Sequence, residues 1–165
     1  MIDAFSMRAK QIVFAARFKA GARGASLIEV EDFLVGLVLE DQGMLGQTVF
    51  SKLHDGRGTL LNSSPSHIPF FPEEVAKNLV TRIDELLPQI KPVGLSIEIP
   101  LSTGLERVFG SAKAFQAQFP HGEIEPLHLL AAILTEESSH CAKLLQEFGI
   151  TSEKVREGLG GAGGN

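Results

Sequence analysis

Apolar residues recur at spacings of three and four through most of the chain, the period of a helix with one buried face. Ser6 stands where an N-cap would, and Ala9, Ile12, Val13, Ala16 and Ala20 follow it. Residues 6 to 20 therefore read as an amphipathic helix, which Gly21 and Gly24 stop. A second helix starts after Ile28. Glu29, Glu31 and Asp32 place negative charge on the positive end of its dipole, and Phe33, Leu34, Leu37 and Val38 make its buried face. Beyond Gly43, the residues Met44, Val49, Phe50 and Leu53 can line a third helix. Residues 54 to 71 interrupt every period with glycine, proline, serine and asparagine and read as a loop, long for a compact domain. Pro72, Glu73 and Glu74 then open a helix whose stripe is Val75, Leu79, Ile83, Leu86 and Leu87, up to Pro88. Residues 89 to 100 form an extended connector in which Leu95, Ile97 and Ile99 alternate.

From Ser102 the pattern returns at a constant offset of 96 residues, without a gap. Val108 and Phe109 stand where Ile12 and Val13 did, and Ile124 and Glu125 where Ile28 and Glu29 did. Only six positions are identical between 6–40 and 102–136, so the phasing carries the argument. Phe33/Leu129, Leu34/Leu130, Leu37/Ile133 and Val38/Leu134 are paired apolar positions that define one buried face twice. Helices over about 139–148 and 152–159 close the second unit. The predicted fold is all-α: two pseudo-symmetric four-helix repeats packed as one globular domain over 1–159. Repeat one is 1–88 with the loop insertion 54–71, the connector is 89–100, and repeat two is 101–159. Residues 160–165, mostly glycine, are a flexible tail.

With 44% of its 165 residues hydrophobic, the chain has ample material for a core. A formal charge of −5 argues against nucleic acid and anionic membrane as partners, since both recruit clustered lysine and arginine. No apolar run is long enough to span a bilayer and no leader pattern opens the chain, so it reads as soluble and cytoplasmic. Cys141 is the only cysteine, which excludes an internal disulfide and a thiolate metal cluster.

The run Phe5-Ser6, Ala9, Ile12-Val13, Ala16, followed by Ile28, Glu31, Phe33-Leu34 and Gly36-Leu37, resembles the Clp N-terminal repeat that precedes the ATPase rings of Clp/Hsp100 unfoldases. The second copy, from Leu101-Ser102 to Leu159, resembles it too, including 142–149 before the last helix. The resemblance implies a non-catalytic module that recruits substrates or adaptor proteins to an unfoldase–protease system. It further implies a phosphoarginine-like pocket in each repeat, with a carboxylate meeting the guanidinium and a hydroxyl near the first helix start. Carried over, repeat one offers Ser6 and Glu31. Repeat two offers Ser102 and His128, but its carboxylate position is Leu127, which cannot offset a guanidinium.

No phosphate-binding Gly-x-x-x-x-Gly-Lys-Ser/Thr run, nucleophile elbow or zinc-ligand spacing is present, so the expectation is no enzyme, no cofactor and no metal in this chain, which could still belong to a longer ATPase. His140 and Cys141 are helix neighbours that point apart, and they read as a surface histidine beside a small half-buried hydrophobe. The residues alone make Glu29, Glu31 and Asp32 helix-start charges; the resemblance singles out Glu31. Phe14 and Phe18 on the first helix, and Phe70 and Phe71 in the loop, are either core or a partner surface. A stand-alone accessory protein, a homo-oligomerisation domain (monomer or weak homo-oligomer) and a small hydrolase are the alternatives.

Overall fold

The first two helices of each copy start on the same side-chain device at the same offset of 96 residues. In the computed structural model, which describes residues 2–45, 68–92, 94, 97–118 and 122–163, Ser6 caps α1 (Met7–Ala22) by accepting the Ala9 N–H on its Oγ. Ser102, 96 residues on, does the same for α4 (Thr103–Gln118) through the Leu105 N–H. Helix α2 (Val30–Asp41) and helix α5 (Pro126–Thr135) each begin with a reciprocal capping box. Glu29 and Asp32 form the first, Glu125 and His128 the second. The remaining described helices are α3 (Glu73–Leu86), α6 (His140–Glu147) and α7 (Ser152–Gly163).

The packing repeats as the sequence does. Helices α1 and α2 pair as α4 and α5 do, and α2 packs on α3 as α5 packs on α7. Leu34 and Leu130 are both fully buried, and so are Phe33 and Leu129. Among the described residues there is no strand, only two isolated parallel bridges, and these cross between the repeats. Ser6 donates its N–H to the Ile124 carbonyl at 3.0 Å, and Ile124 donates to Ala4 at 2.8 Å. Shifted by 96, the same bonds recur: Ser102 donates to Ile28 at 3.0 Å, and Ile28 to Pro100 at 2.9 Å. One core runs through both halves, with Phe109 of repeat two edge-on to Phe5 and Phe33 of repeat one.

The connector lies against the end of α1. Ile90 donates to the Arg23 carbonyl at 2.8 Å, and Arg17 reaches back to the Gly94 and Ile97 carbonyls. Gly24 sits at a φ of 78°, and a Cβ there would run into the Lys91 main chain, so glycine is required twice over.

Three sequence expectations change. Leu86 is 52% exposed and leaves the α3 stripe, whose buried members are Ala76, Leu79 and Ile83. The last helix does not end at Leu159 but continues to Gly163, through glycines expected to be a tail. Cys141 is fully rather than half buried. The expected third helix lies, beyond Leu45, outside the described residues, as does the 54–67 part of the loop.

Because Leu34 and Leu130 fill equivalent, fully buried places, replacing either with alanine should lower the unfolding free energy by about 2–5 kcal/mol, read from urea melts. A large cost at one position and none at the other would break the equivalence.

Candidate functional site: a junction of three helix starts

Helices α1 and α2 run antiparallel, as two ion pairs establish. Near the start of α1, Arg8 grips Glu40 at the end of α2, with Nε to Oε2 at 2.7 Å and Nη2 to Oε1 at 2.9 Å. Just past the end of α1, Arg23 grips Asp32 at the start of α2, with Nε to Oδ1 at 2.8 Å and Nη2 to Oδ2 at 2.7 Å. Ser6 and Glu31 therefore lie at opposite ends of the helix pair, roughly 20 Å apart along the axis. The pocket carried over from the resemblance is not assembled within one repeat.

The crossed bridges put Glu31 elsewhere. The Ile28–Ser102 bond brings the α2 start to the α4 start, and Val30 packs against Gly104. On the other side, Glu31 Oε2 stands 3.4 Å from His140 Nδ1 at the start of α6. Three helix N-termini, each with a positive dipole end, thus meet around Glu29 and Glu31, whose charges match that field. The Glu31 side chain is 23% exposed, so it can still meet a ligand. Arg107 of α4 pairs with Glu136 at the end of α5 on the rim.

Asp32, adjacent in sequence, has the opposite fate. It is fully buried, bound by Arg23 and bonded to the Glu29 N–H at 2.9 Å. Its hydrogen bonds hold the Arg23 guanidinium above its ordinary value. Arg23 was missed in the sequence because nothing in a nine-residue separation across a turn announces the pair. Burial pushes the Cys141 thiol up, and the nearby negative charges of Glu31, Asp32 and Glu29 add to this, so it is inert rather than nucleophilic.

The pseudo-equivalent place in repeat two differs in kind. Leu127 stands where Glu31 does, and Arg8, held by Glu40, where Gly104 does. His128 faces no ligand: it is fully buried, and its Nδ1 accepts the Glu125 N–H at 2.8 Å. Both Ser6 and Ser102 are buried caps. Of the aromatic candidates, Phe71 is core and unavailable to a partner. Phe70 packs against the core and donates its N–H to Asp41, as Phe71 does. Phe18 packs against Ala15 and Leu45, while Phe14 is 53% exposed. His54, His67 and His121 lie outside the described residues. Among the described residues no cluster of metal-ligating side chains forms, and no helix is long and apolar enough to cross a membrane.

This all-α double repeat defines a class. The chain matches the Clp repeat (R) N-terminal domain at residues 74–148 and 100–163, together more than half its length, and belongs to that family. Three solved structures share the fold. The N-terminal domain of the caseinolytic-protease-associated chaperone ClpD from Arabidopsis thaliana is 18% identical, with a TM-score of 0.60 over 96% of this chain and 94% of that one. The Hsp104 N-terminal domain from Candida albicans is 15% identical, with 0.63 over 96% and 90%. A structure from preliminary investigations of a malarial protein secretion system is 14% identical, with 0.65 over 94% and 92%. No curated protein matches the sequence.

The two neighbouring carboxylates should separate cleanly. Asp32→Ala, which leaves the Arg23 charge buried and unpaired, should cost about 3–5 kcal/mol in urea melts, whereas Glu31→Ala should stay within about 0.5 kcal/mol. The Cys141 thiol should resist a thiol reagent in the folded protein and react at once in denaturant; prompt labelling of the native state would contradict its burial.

Proposed function

We propose that this domain is a non-catalytic protein-binding module that recruits substrates or adaptors to a Clp/Hsp100 unfoldase, and that the junction at Glu31 is its guanidinium-recognising site. The observation that carries the reading is a partly exposed carboxylate, unlike buried Asp32, set where three helix starts come together. A phosphorylated arginine suits such a place on both of its charges. The guanidinium would meet Glu31 in a charge-assisted pair, and the phosphoryl group would face helix N-termini, which favour anions. The hydroxyl neighbour in this arrangement is Ser102 of the other repeat rather than Ser6. As an N-cap its oxygen accepts an N–H while its own proton remains to be donated.

The second repeat supplies no matching site, because Leu127 offers no charge and Arg8 would repel a guanidinium. One site per chain follows. What supports the recruiting role is membership of the family together with the likeness in fold to the ClpD and Hsp104 N-terminal domains. The domain works by holding proteins, as a monomer or a weak homo-oligomer, without metal or cofactor.

Titration calorimetry with phosphoarginine should give a stoichiometry of one, and Glu31→Gln should weaken binding at least tenfold, the scale of one charge-assisted hydrogen bond. Leu127→Ala should leave the affinity within twofold. Binding that survives Glu31→Gln unchanged would remove Glu31 from the site, and two equal sites would contradict the asymmetry between repeats.

A further inference from the structure

The two repeats cap their second helices with different chemistry at the same place. In repeat one the Glu29 N–H donates to the Asp32 carboxylate, itself held by Arg23. In repeat two the Glu125 N–H donates to Nδ1 of His128 at 2.8 Å, and the ring is fully buried. A main-chain N–H can donate only to a ring nitrogen that carries no proton. The bond therefore exists only while Nδ1 is bare. Glu125 directly follows Ile124, whose N–H and carbonyl make one of the two crossed bridges between the repeats. We propose that the bridge between residues 4–6 and Ile124 is a pH-responsive latch, released when His128 takes a proton at Nδ1, while the sister bridge at Ile28, backed by Asp32, stays closed.

The charged groups on the elements packed around the ring are few and can be named. The Glu125 side chain accepts the His128 main-chain N–H as its half of the capping box. On the helices packed against α5, Asp32 of α2 holds Arg23 and Glu31 of α2 meets His140 of α6. Arg107 of α4 pairs with Glu136 at the far end of α5, Arg156 of α7 lies over the Phe115 ring, and Lys154 and Glu157 of α7 line a groove with Phe70 and Phe148. At the bridge itself Arg8 is bound by Glu40 and feels Glu125.

The direction of the response follows from proton counting. An imidazole freed from its acceptor role titrates near its ordinary value of about 6.5. Below that pH the opened state holds one more proton than the closed state, so the closed state loses ground as pH falls; above it the latch is at full strength. The opening equilibrium should grow about tenfold per pH unit.

Amide hydrogen exchange on the full 165-residue chain, corrected for intrinsic rates, reads this directly. Between pH 7.5 and 5.5, the Ser6 and Ile124 amides should lose protection about tenfold per unit below roughly pH 6.5, while Ile28 and Ser102 hold theirs. In His128→Gln, which keeps an acceptor of the capping-box type without a titrating ring, all four should be flat. Equal losses at both bridges, or a pH response that persists in His128→Gln, would overturn the proposal. Should that variant fail to fold, ring nitrogen chemical shifts of the parent decide: an unprotonated Nδ1 as long as Ser6 and Ile124 stay protected supports the latch. A charged His128 ring beside still-protected amides refutes it.

Discussion

Four main-chain hydrogen bonds that cross between the repeats organise this molecule. They join Ala4 and Ser6 to Ile124, and Pro100 and Ser102 to Ile28. Each is worth only about 0.5–1.5 kcal/mol net, far less than the apolar faces it aligns. Their leverage is positional. Every one lies within three residues of a helix start, so they set where α1, α2, α4 and α5 begin and which way each pair runs. With those starts fixed, the stripes of Phe33, Leu34, Leu129 and Leu130 face inward together, and the two halves share one core instead of building two.

The same crossing decides where chemistry can occur. Because residues of one repeat complete the surroundings of the other, the ends of α2 and α5 are not equivalent despite the shared fold. Glu31 looks out beside His140, whereas Leu127 lies in the neighbourhood of Gly158 and Phe70. A duplicated backbone thus carries one acidic junction and one apolar one. Asp32, buried with Arg23 as its counter-ion, makes the contrast sharper.

Much of this was legible in the sequence where local periodicity and burial coincide. The 96-residue offset and the paired stripes gave the architecture, because a buried face repeats its spacing whatever surrounds it. The N-cap serines were equally plain. Sequence reading failed where tertiary context overrides the local pattern. Leu86 continues the α3 stripe in phase yet sits half exposed at a helix end. Phe71, which the sequence left open between core and partner surface, is core: Asp41 accepts its N–H and pins it inward. Ser6 and Glu31 were joined by resemblance, but no within-repeat pattern could reveal that the neighbour of Glu31 comes from the other copy. The Arg23–Asp32 pair was invisible for a similar reason, since its geometry depends on the turn between two antiparallel helices.

The reciprocal form of the bridges carries a further implication about origin and assembly. Residue 6 of one unit touches residue 28 of the other, in the equivalent numbering, and the reverse, which is the contact pattern of an isologous two-fold dimer. A single unit of about this length could make the same contacts with a second copy of itself. The strap at 89–100, anchored on Arg17 and Arg23, then acts as a tether that turns a bimolecular encounter into an intramolecular one, raising the effective concentration of the partner to the millimolar range.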